Sequence, residues 1–254
     1  MYENYSHLRR KFAEYFIENE TYNFLEDYYK HKLPRYYDTS FCNSFSSMSL
    51  KARDSAIELC GFLLVNKDMC EDLAEFIGNG KCLEVMAGLG SLSYGLRQEG
   101  VDIITTDLYI DHPLNYNNIW CDIEQIDAVE AVRKYGKDVD YVIMSWPRGD
   151  EKHTAYQVAK ELYKIDPNKV LIYIGEQEGG CCADEMFFAG IEYTNKNKFD
   201  CINTHFSNWY WVHDQIYTVR WNPNFTEEDY EILEFEMQER EKEFREYLDT
   251  LKFN

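Results

Sequence analysis

The chain has 254 residues, of which 46 are acidic and 26 basic, and its formal net charge is −20 at pH 7. This length is sufficient for a large hydrophobic core in one α/β domain, with or without an added segment. A surface this acidic repels phosphate backbones, so the composition argues against duplex DNA or RNA as the substrate.

Cysteine and histidine usage argues against a metal site. The eight cysteines contain no Cys-x-x-Cys pair and the six histidines are scattered, so the ligand spacing of a zinc site is absent. The first residues lack the apolar core of a signal peptide, and no apolar run has the length of a membrane span. We therefore expect no metal, no membrane insertion, and a soluble protein of the reducing cytoplasm.

The first third of the chain has helical periodicity. Apolar residues recur at helical spacing over residues 1–32, which predicts an amphipathic helix or a helix pair. Two further helices are predicted over residues 50–66 and 67–77. We expect residues 1–77 to form an N-terminal helical extension and lid.

Between these helices, residues 33–49 combine serine, asparagine and aromatic side chains with a proline, which is typical of a loop. Tyr36, Tyr37 and Phe41 are candidates for aromatic residues of an active-site lid. A surface loop without a function is the alternative.

A glycine-rich turn follows the extension. Residues 82–85 form an apolar run typical of a buried strand, residues 86–90 hold two glycines, and residues 91–99 have helical periodicity. A strand, a glycine turn and a helix together can hold a nucleotide, because glycines let the backbone approach the ligand and the helix N-terminus offers unpaired N–H groups. A second apolar run at 101–106 leads to Asp107, and a carboxylate at the tip of the second strand is where a ribose hydroxyl is usually held.

The glycine spacing leaves two cofactor classes open. Gly88-x-Gly90-x-x-Ser93 fits a dinucleotide fingerprint with a small residue in third place. Glu84 favours the other class, because dinucleotide-binding strands usually run apolar into the turn. Glu84-x-x-x-Gly88-x-Gly90 resembles motif I of the class I S-adenosylmethionine-dependent methyltransferases, Asp/Glu-x-Gly-x-Gly-x-Gly, with Met86 in place of the first glycine.

The resemblance implies S-adenosylmethionine as cofactor, with Glu84 orienting its methionine part and Asp107 holding its ribose. Asp122 and Ile123, after a third short strand predicted near residue 120, resemble the family's adenine-binding pair; Asp122 as the N-cap of a helix over 126–135 is the alternative. The expected cofactor-binding residues are Glu84, Met86, Ala87, Gly88, Gly90, Asp107, Leu108, Asp122, Ile123 and Ser145.

A second landmark is the apolar strand predicted at 141–144, which ends at Ser145-Trp146-Pro147-Arg148. Open α/β sheets place their chemistry at strand tips, so this segment should face the reactive end of the cofactor. Amino-group methyltransferases carry Asn/Asp/Ser-Pro-Pro-aromatic here, and this chain keeps one proline and moves the aromatic residue forward. Methylation of a base or amide nitrogen is thus permitted but not implied. Trp146 is a candidate for cation–π contact with the sulfonium, with core packing as the alternative.

A further strand at 169–174 is followed by Glu176, the best candidate for a general base or an amine anchor. The predicted catalytic residues are Trp146, Pro147 and Glu176. Strands predicted at 199–206 and 215–221 would form a closing hairpin, and an antiparallel seventh strand is the family's characteristic ending.

Thr226 and Asp229 have capping-box spacing and predict the start of a final, strongly acidic helix. Its apolar stripe is expected to pack on the N-terminal helices or to pair with another subunit as a homodimer.

The predicted fold is α/β, a doubly wound, seven-stranded, Rossmann-like methyltransferase sheet with an N-terminal helical extension (1–77), a cofactor-binding domain (78–221) and a C-terminal helix (222–254). The resemblance implies methyl transfer to an N- or O-nucleophile of a small molecule or protein. The alternative is a non-catalytic S-adenosylmethionine- or nucleoside-binding interaction protein on the same fold. An NAD-linked oxidoreductase is disfavoured by Glu84 and by the lack of a hydride-transfer site.

Overall fold

The computed structural model describes residues 2–19, 22–37, 46–108, 118–194 and 202–251. Within them, seven strands form one sheet in the order β3-β2-β1-β4-β5-β7-β6. The strands are β1 (Lys81–Val85), β2 (Asp102–Asp107), β3 (Glu124–Gln125), β4 (Tyr141–Ser145), β5 (Val170–Gly175), β6 (Ile191–Tyr193) and β7 (Gln215–Trp221).

The pairing of the strands confirms the predicted fold. Strands β1 to β5 pair in parallel, and β7 is inserted antiparallel between β5 and β6. The chain moves outward from β1 to β3 and then returns to place β4 on the other side of β1. The strand order therefore reverses between β1 and β4, which is the position where open α/β sheets bind their ligands. The result is a doubly wound, Rossmann-like sheet whose strand β7 is antiparallel.

Helices cover both faces of this sheet. The helices are α1 (Tyr2–Glu18), α2 (Phe24–Tyr29), α3 (Ser47–Cys60), α4 (Lys67–Ile77), α5 (Ser91–Gln98), α6 (Ala128–Tyr135), α7 (Thr154–Ile165), α8 (Glu185–Ala189) and α9 (Glu227–Leu251). Side chains alternate along β1, so Cys82 lies in the core under α1–α5, and Leu83 and Val85 lie in the core under α6–α8. Among the described residues, no helix is long and apolar enough to cross a membrane.

The prediction of a strand at 199–206 is wrong for the part that the structure describes. Residues 202–206 lie in a turn, and residues 199–201 are outside the described ranges. The Asn203 amide exchanges two hydrogen bonds with the backbone of Ile216, donating at 3.1 Å and accepting at 2.8 Å, which fixes the turn beside β7. The partner of β7 at the sheet edge is instead β6, whose three residues are too short to give a period-two pattern.

The predicted third strand also lies elsewhere. Trp120 is buried, with its indole N–H donating to the Leu59 carbonyl at 2.7 Å, and β3 comes after Asp122 rather than before it. The N-cap alternative for Asp122 is wrong as well, because α6 begins at Ala128 and Asp127 caps it.

The N-terminal helices were predicted correctly in type, residues 1–32 form the pair rather than a single helix, and α3 ends at Cys60 rather than at residue 66. The α3 helix begins at Ser47, three residues earlier than predicted, because Ser46 and Ser49 form a capping box. Of the lid candidates, Tyr37 is buried and donates its hydroxyl hydrogen to the Val65 carbonyl at 2.7 Å, Tyr36 is exposed, and Phe41 lies outside the described residues.

The C-terminal helix begins as predicted but packs elsewhere. The Thr226 amide donates to Asp229 Oδ2 at 2.8 Å, and the Asp229 amide donates to Thr226 Oγ1 at 3.2 Å. Packing on the N-terminal helices is wrong, because α9 contacts the opposite core, the one under α6–α8, through Tyr230, Leu233 and Met237.

Candidate functional site

The turn after β1 is held in a left-handed conformation. The φ angles are 55° at Met86, 57° at Gly88 and 73° at Gly90. Glycine adopts this conformation readily, whereas at a residue with a side chain, such as Met86, it costs about 1–2 kcal/mol. The Ala87 amide donates to the Thr106 carbonyl at 3.1 Å, so the turn is fixed to the tip of β2.

Packing explains the glycine at the start of α5. A Cβ built on Gly90 would lie 2.8 Å from Cys121 Sγ and 3.1 Å from Ile123 Cδ1. Ile123 of the predicted adenine-binding pair therefore lies directly beside the turn, while Asp122 is exposed to solvent. A side chain at position 90 would displace this neighbouring segment.

Glu84 lies beneath the turn and is buried. The Ser93 hydroxyl donates to Glu84 Oε2, and the Thr106 hydroxyl donates to the Glu84 carbonyl at 2.9 Å. Burial raises the pKa of Glu84 to about 7, although the Ser93 hydrogen bonds lower it. A carboxyl group in this state accepts or releases a proton near neutral pH.

Asp107 joins the tip of β2 to the glycine turn. The Gly88 amide donates to Asp107 Oδ2 at 2.8 Å, and the carboxylate is 7% exposed. Leu108, the next predicted residue, is 38% exposed at the edge of this region. The acidic side chain thus lies at the tip of β2 and is joined to the glycine turn.

A cleft opens above the turn between β1 and β4, with an empty volume of about 410 Å³ including its open mouth. The linker 60–63, which follows α3, forms one wall. The predicted residues that line this cleft are Glu84, Met86, Ala87, Gly88, Ser145 and Trp146. Six residues from two distant motifs therefore meet at the position where the strand order reverses.

Trp146 borders this cleft and contacts a second group of polar residues. Its ring stacks on Phe62, with centroids 5.3 Å apart and planes at 11°, and the Arg53 guanidinium lies 5.6 Å from the ring centre. The indole N–H donates to Asp214 Oδ2 at 2.7 Å. Trp146 is thus half-buried and packed, and it also borders the cleft.

Asp214 is the carboxyl group behind Trp146 and is 3% exposed. Burial raises the pKa of Asp214 to about 7, and the indole hydrogen bond from Trp146 lowers it only in part. Burial also lowers the pKa of Arg53. The two opposite charges are therefore partly desolvated in the same region.

Glu176 and Pro147 hold the adjacent loop and do not line the cleft. Glu176 accepts the Cys181 amide at 2.7 Å and the His213 amide at 3.0 Å, one on each oxygen. Burial raises the pKa of Glu176, but these two backbone donors outweigh it and the net pKa is lowered. Pro147 is buried, and its carbonyl accepts the Ala183 amide at 2.7 Å.

Sequence reasoning missed three residues of this region. Arg53 and Phe62 come from the segment around α3, far along the chain from the motifs, and Ser93 was considered only as a fingerprint position. No local pattern marks an arginine on an amphipathic helix or a phenylalanine in a linker as part of a site. Only their contacts with Trp146 identify them.

No protein-family model and no curated protein matches this sequence. Among solved structures, the alignment with the PH0226 protein of Pyrococcus horikoshii OT3 has 19% identity and a TM-score of 0.33, covering 54% of this chain and 62% of that one. A protein of the NADB-Rossmann superfamily from Streptococcus agalactiae aligns with 13% identity and a TM-score of 0.39, covering 63% and 70%. The glycopeptide N-methyltransferase MtfA, complexed with sinefungin, aligns with 14% identity and a TM-score of 0.30, covering 44% and 55%.

These alignments are partial, and this chain spans less than two thirds of the length of PH0226 and of MtfA. The fold assignment therefore rests on the strand order of this chain itself.

Proposed function

We propose that this protein is an S-adenosylmethionine-dependent methyltransferase that transfers a methyl group to an N- or O-nucleophile of a small-molecule or protein acceptor. One observation carries the proposal. The glycine turn of β1 and the tip of β4 line one cleft at the point where the strand order reverses, and the Asp107 carboxylate accepts the Gly88 amide of that turn.

The residues present are compatible with this cofactor. The left-handed backbone at Gly88 brings the main chain to the cleft without a side chain in the way. By the resemblance, Glu84 would face the methionine part, Asp107 the ribose, and Asp122 with Ile123 the adenine.

When bound, S-adenosylmethionine supplies a methyl group that its sulfonium has already activated. The protein's own residues then need to align an acceptor and exclude water rather than perform strong acid–base chemistry. Trp146 and Phe62 form an apolar aromatic wall suited to that task.

A non-catalytic binding protein is the second candidate, and one observation favours it. Several large apolar side chains on the exposed face of α9 lie in an acidic, solvent-facing surface: Phe235, Phe244 and Tyr247 are each more than half exposed. Such a surface fits a partner protein. A protein of this kind would bind the cofactor without turnover on any acceptor.

Asp107→Asn tests the cofactor site. The asparagine oxygen can still accept the Gly88 amide, so the turn is retained, while the charge that would hold the ribose hydroxyls is removed. We expect S-adenosylmethionine and S-adenosylhomocysteine to bind the unchanged protein and to bind the variant at least about tenfold more weakly. Isothermal titration calorimetry, with NAD as the competing class, measures this.

Asp102→Asn is the matched control, because Asp102 lies at the other end of the same strand and forms an exposed pair with Lys81. It should leave binding unchanged. Binding of NAD alone would reject the methyltransferase proposal, as would the absence of binding by all three compounds.

A further inference from the structure

A polar cluster lies behind Trp146, formed by Arg53 of α3, Trp146 at the tip of β4, and Asn208 with Asp214 in the segment before β7. Trp146 donates to Asp214 Oδ2, as described above, and the Asn208 side-chain amide donates to the Asp214 carbonyl at 2.8 Å. The four residues converge from three distant parts of the chain. We name them the Arg53–Asp214 cluster.

The cluster contains unpaired buried polar atoms. Among the described residues, three buried side-chain atoms of this cluster have no hydrogen-bond partner: Arg53 Nε, Asn208 Oδ1 and Asp214 Oδ1. Buried polar atoms are almost always paired in native proteins, so a concentration of unpaired ones indicates a missing partner. These three comprise one donor and two acceptors.

Arg53 and Asp214 do not satisfy each other. Each changes the pKa of the other, so their charges are close enough to interact. Within the part of the chain that the structure describes, however, no nitrogen–oxygen pair within 4.0 Å joins them as a salt bridge. Arg53 Nε and Asp214 Oδ1 therefore each remain unpaired although the two charges interact.

We propose that the Arg53–Asp214 cluster binds the methyl acceptor, and that the acceptor carries an amine or amide nitrogen next to an oxygen atom. This inference rests on the proposed function and names its substrate class. A nitrogen with two hydrogens can donate to both Asp214 Oδ1 and Asn208 Oδ1, whereas a hydroxyl has only one hydrogen to donate. Arg53 Nε donates to the oxygen of the same molecule.

Asp214 is also a better proton acceptor than Glu176, the predicted general base. The nitrogen would form the new bond to the methyl carbon with its lone pair, and the carbon–sulfur bond would break with its electron pair left on the sulfur of the cofactor. The methylated nitrogen releases one proton to Asp214 Oδ1, and the bonding pair of that N–H bond stays on nitrogen. Burial raises the pKa of Asp214 to about 7, close to the working pH, whereas the carboxylate of Glu176 is occupied by two backbone donors.

Ligand binding at the cluster can be measured without methyl transfer. The indole N–H signal of Trp146 in ¹H–¹⁵N spectra is the readout, and the Trp146→Phe variant, which lacks this signal, assigns it. Three probes with a three-carbon skeleton are titrated with and without S-adenosylhomocysteine: β-alaninamide, which has nitrogen and oxygen; propylamine, which lacks the oxygen; and methyl 3-hydroxypropanoate, which has a hydroxyl and an ester but no nitrogen. We expect β-alaninamide to shift the Trp146 signal with at least about tenfold tighter binding than either analogue.

Asp214→Asn and Arg53→Gln should each weaken β-alaninamide binding at least about tenfold. Arg220→Gln should not, because Arg220 is exposed on β7 and pairs with Glu192. Asn208→Ser is a further variant if one of the first two does not fold, as judged by circular dichroism.

Equal binding of the hydroxyl analogue, or unchanged binding in the two variants, would overturn the proposal. The absence of any shift would mean that ordered water alone pairs these atoms and would overturn it too. Failure of S-adenosylhomocysteine to bind, measured in the same samples, speaks against the proposed function alone, because the probe titration is also run without it.

Discussion

Three carboxyl groups at the carboxyl edge of the sheet have similar burial and different pKa shifts. Glu84, Glu176 and Asp214 are all less than 9% exposed. Burial is the largest influence on each, but only Glu176 accepts a backbone N–H on both oxygens, and only its pKa is lowered. Two backbone N–H donors lower the pKa of Glu176, whereas Glu84 and Asp214 lack such a pair and their pKa values stay raised.

Glu84→Gln should change how stability depends on pH. The pKa of Glu84 rises from 4.5 unfolded to about 7 folded, so the unfolded state loses the proton first as pH rises. Ionisation of Glu84 therefore lowers stability progressively between about pH 4.5 and 7, and the loss is complete above that range. Glutamine cannot ionise and can still accept from Ser93.

We expect the free energy of unfolding of the variant, relative to that of the unchanged protein, to rise by on the order of 2–3 kcal/mol from about pH 4 to pH 8. Urea unfolding at several pH values measures the difference. Glu243→Gln on the exposed face of α9 is the control and should leave the pH profile unchanged. A stability difference that does not vary with pH would show that Glu84 ionises normally.

At the level of elements, the unit from β1 through the turn to α5 is fixed by its neighbours. Gly90 combines a positive φ with contact to Cys121 and Ile123, whereas Gly100, which follows α5, has φ 85° and no atom within 4 Å of a built Cβ. An alanine at position 100 therefore introduces backbone strain alone, whereas an alanine at position 90 adds steric overlap.

Gly100→Ala should destabilise the protein by about 1–2 kcal/mol, from backbone strain alone. Gly90→Ala should cost about 1–3 kcal/mol more, because the segment at Cys121 must also move. Cys121→Ala in the Gly90→Ala background removes the nearest atom and should recover part of the additional loss. The double-mutant cycle consists of the unchanged protein, Gly90→Ala, Cys121→Ala and the variant with both changes, each measured by chemical unfolding. Equal losses at the two glycines would contradict the packing explanation.

At the level of the whole molecule, α9 is packed over its first half only. Leu233 is partly buried in the core under α6–α8, while Leu248 is 39% exposed. The net charge of −20 leaves little attraction between this surface and another acidic one. The predicted homodimer through α9 would need the apolar residues of the second half to overcome that repulsion.

Leu233→Ala should destabilise the protein by about 1–2 kcal/mol, less than for a fully buried leucine. Leu248→Ala, the same change on the same helix, should alter the free energy of unfolding by no more than about 0.5 kcal/mol. Urea unfolding compares the two variants. Equal effects would contradict this division of α9.

Sedimentation of the unchanged protein and of Leu248→Ala tests the homodimer separately. Pairing through the second half of α9 would be supported if the protein dimerises and Leu248→Ala weakens the dimer without lowering the stability of the monomer. A monomer at all concentrations would reject it.

The sequence by itself determined the elements whose signal is local. The strands β1, β2, β4, β5 and β7 and the helix α4 follow from apolar runs, periodicity and caps, and the glycine turn with Asp107 identified the edge of the sheet where the site lies. These features depend on residues within a few positions of one another, and the family resemblance supplied the doubly wound, seven-stranded arrangement with an antiparallel seventh strand.

Only the tertiary structure decided the rest. The edge strand β6 is too short to have a pattern, and its place depends on β7. The face that α9 covers and the meeting of Arg53, Trp146 and Asp214 depend on contacts between segments far apart in the chain. A side chain on an amphipathic helix carries no local mark of what it will meet, because burial and charge proximity arise only when the layers pack together.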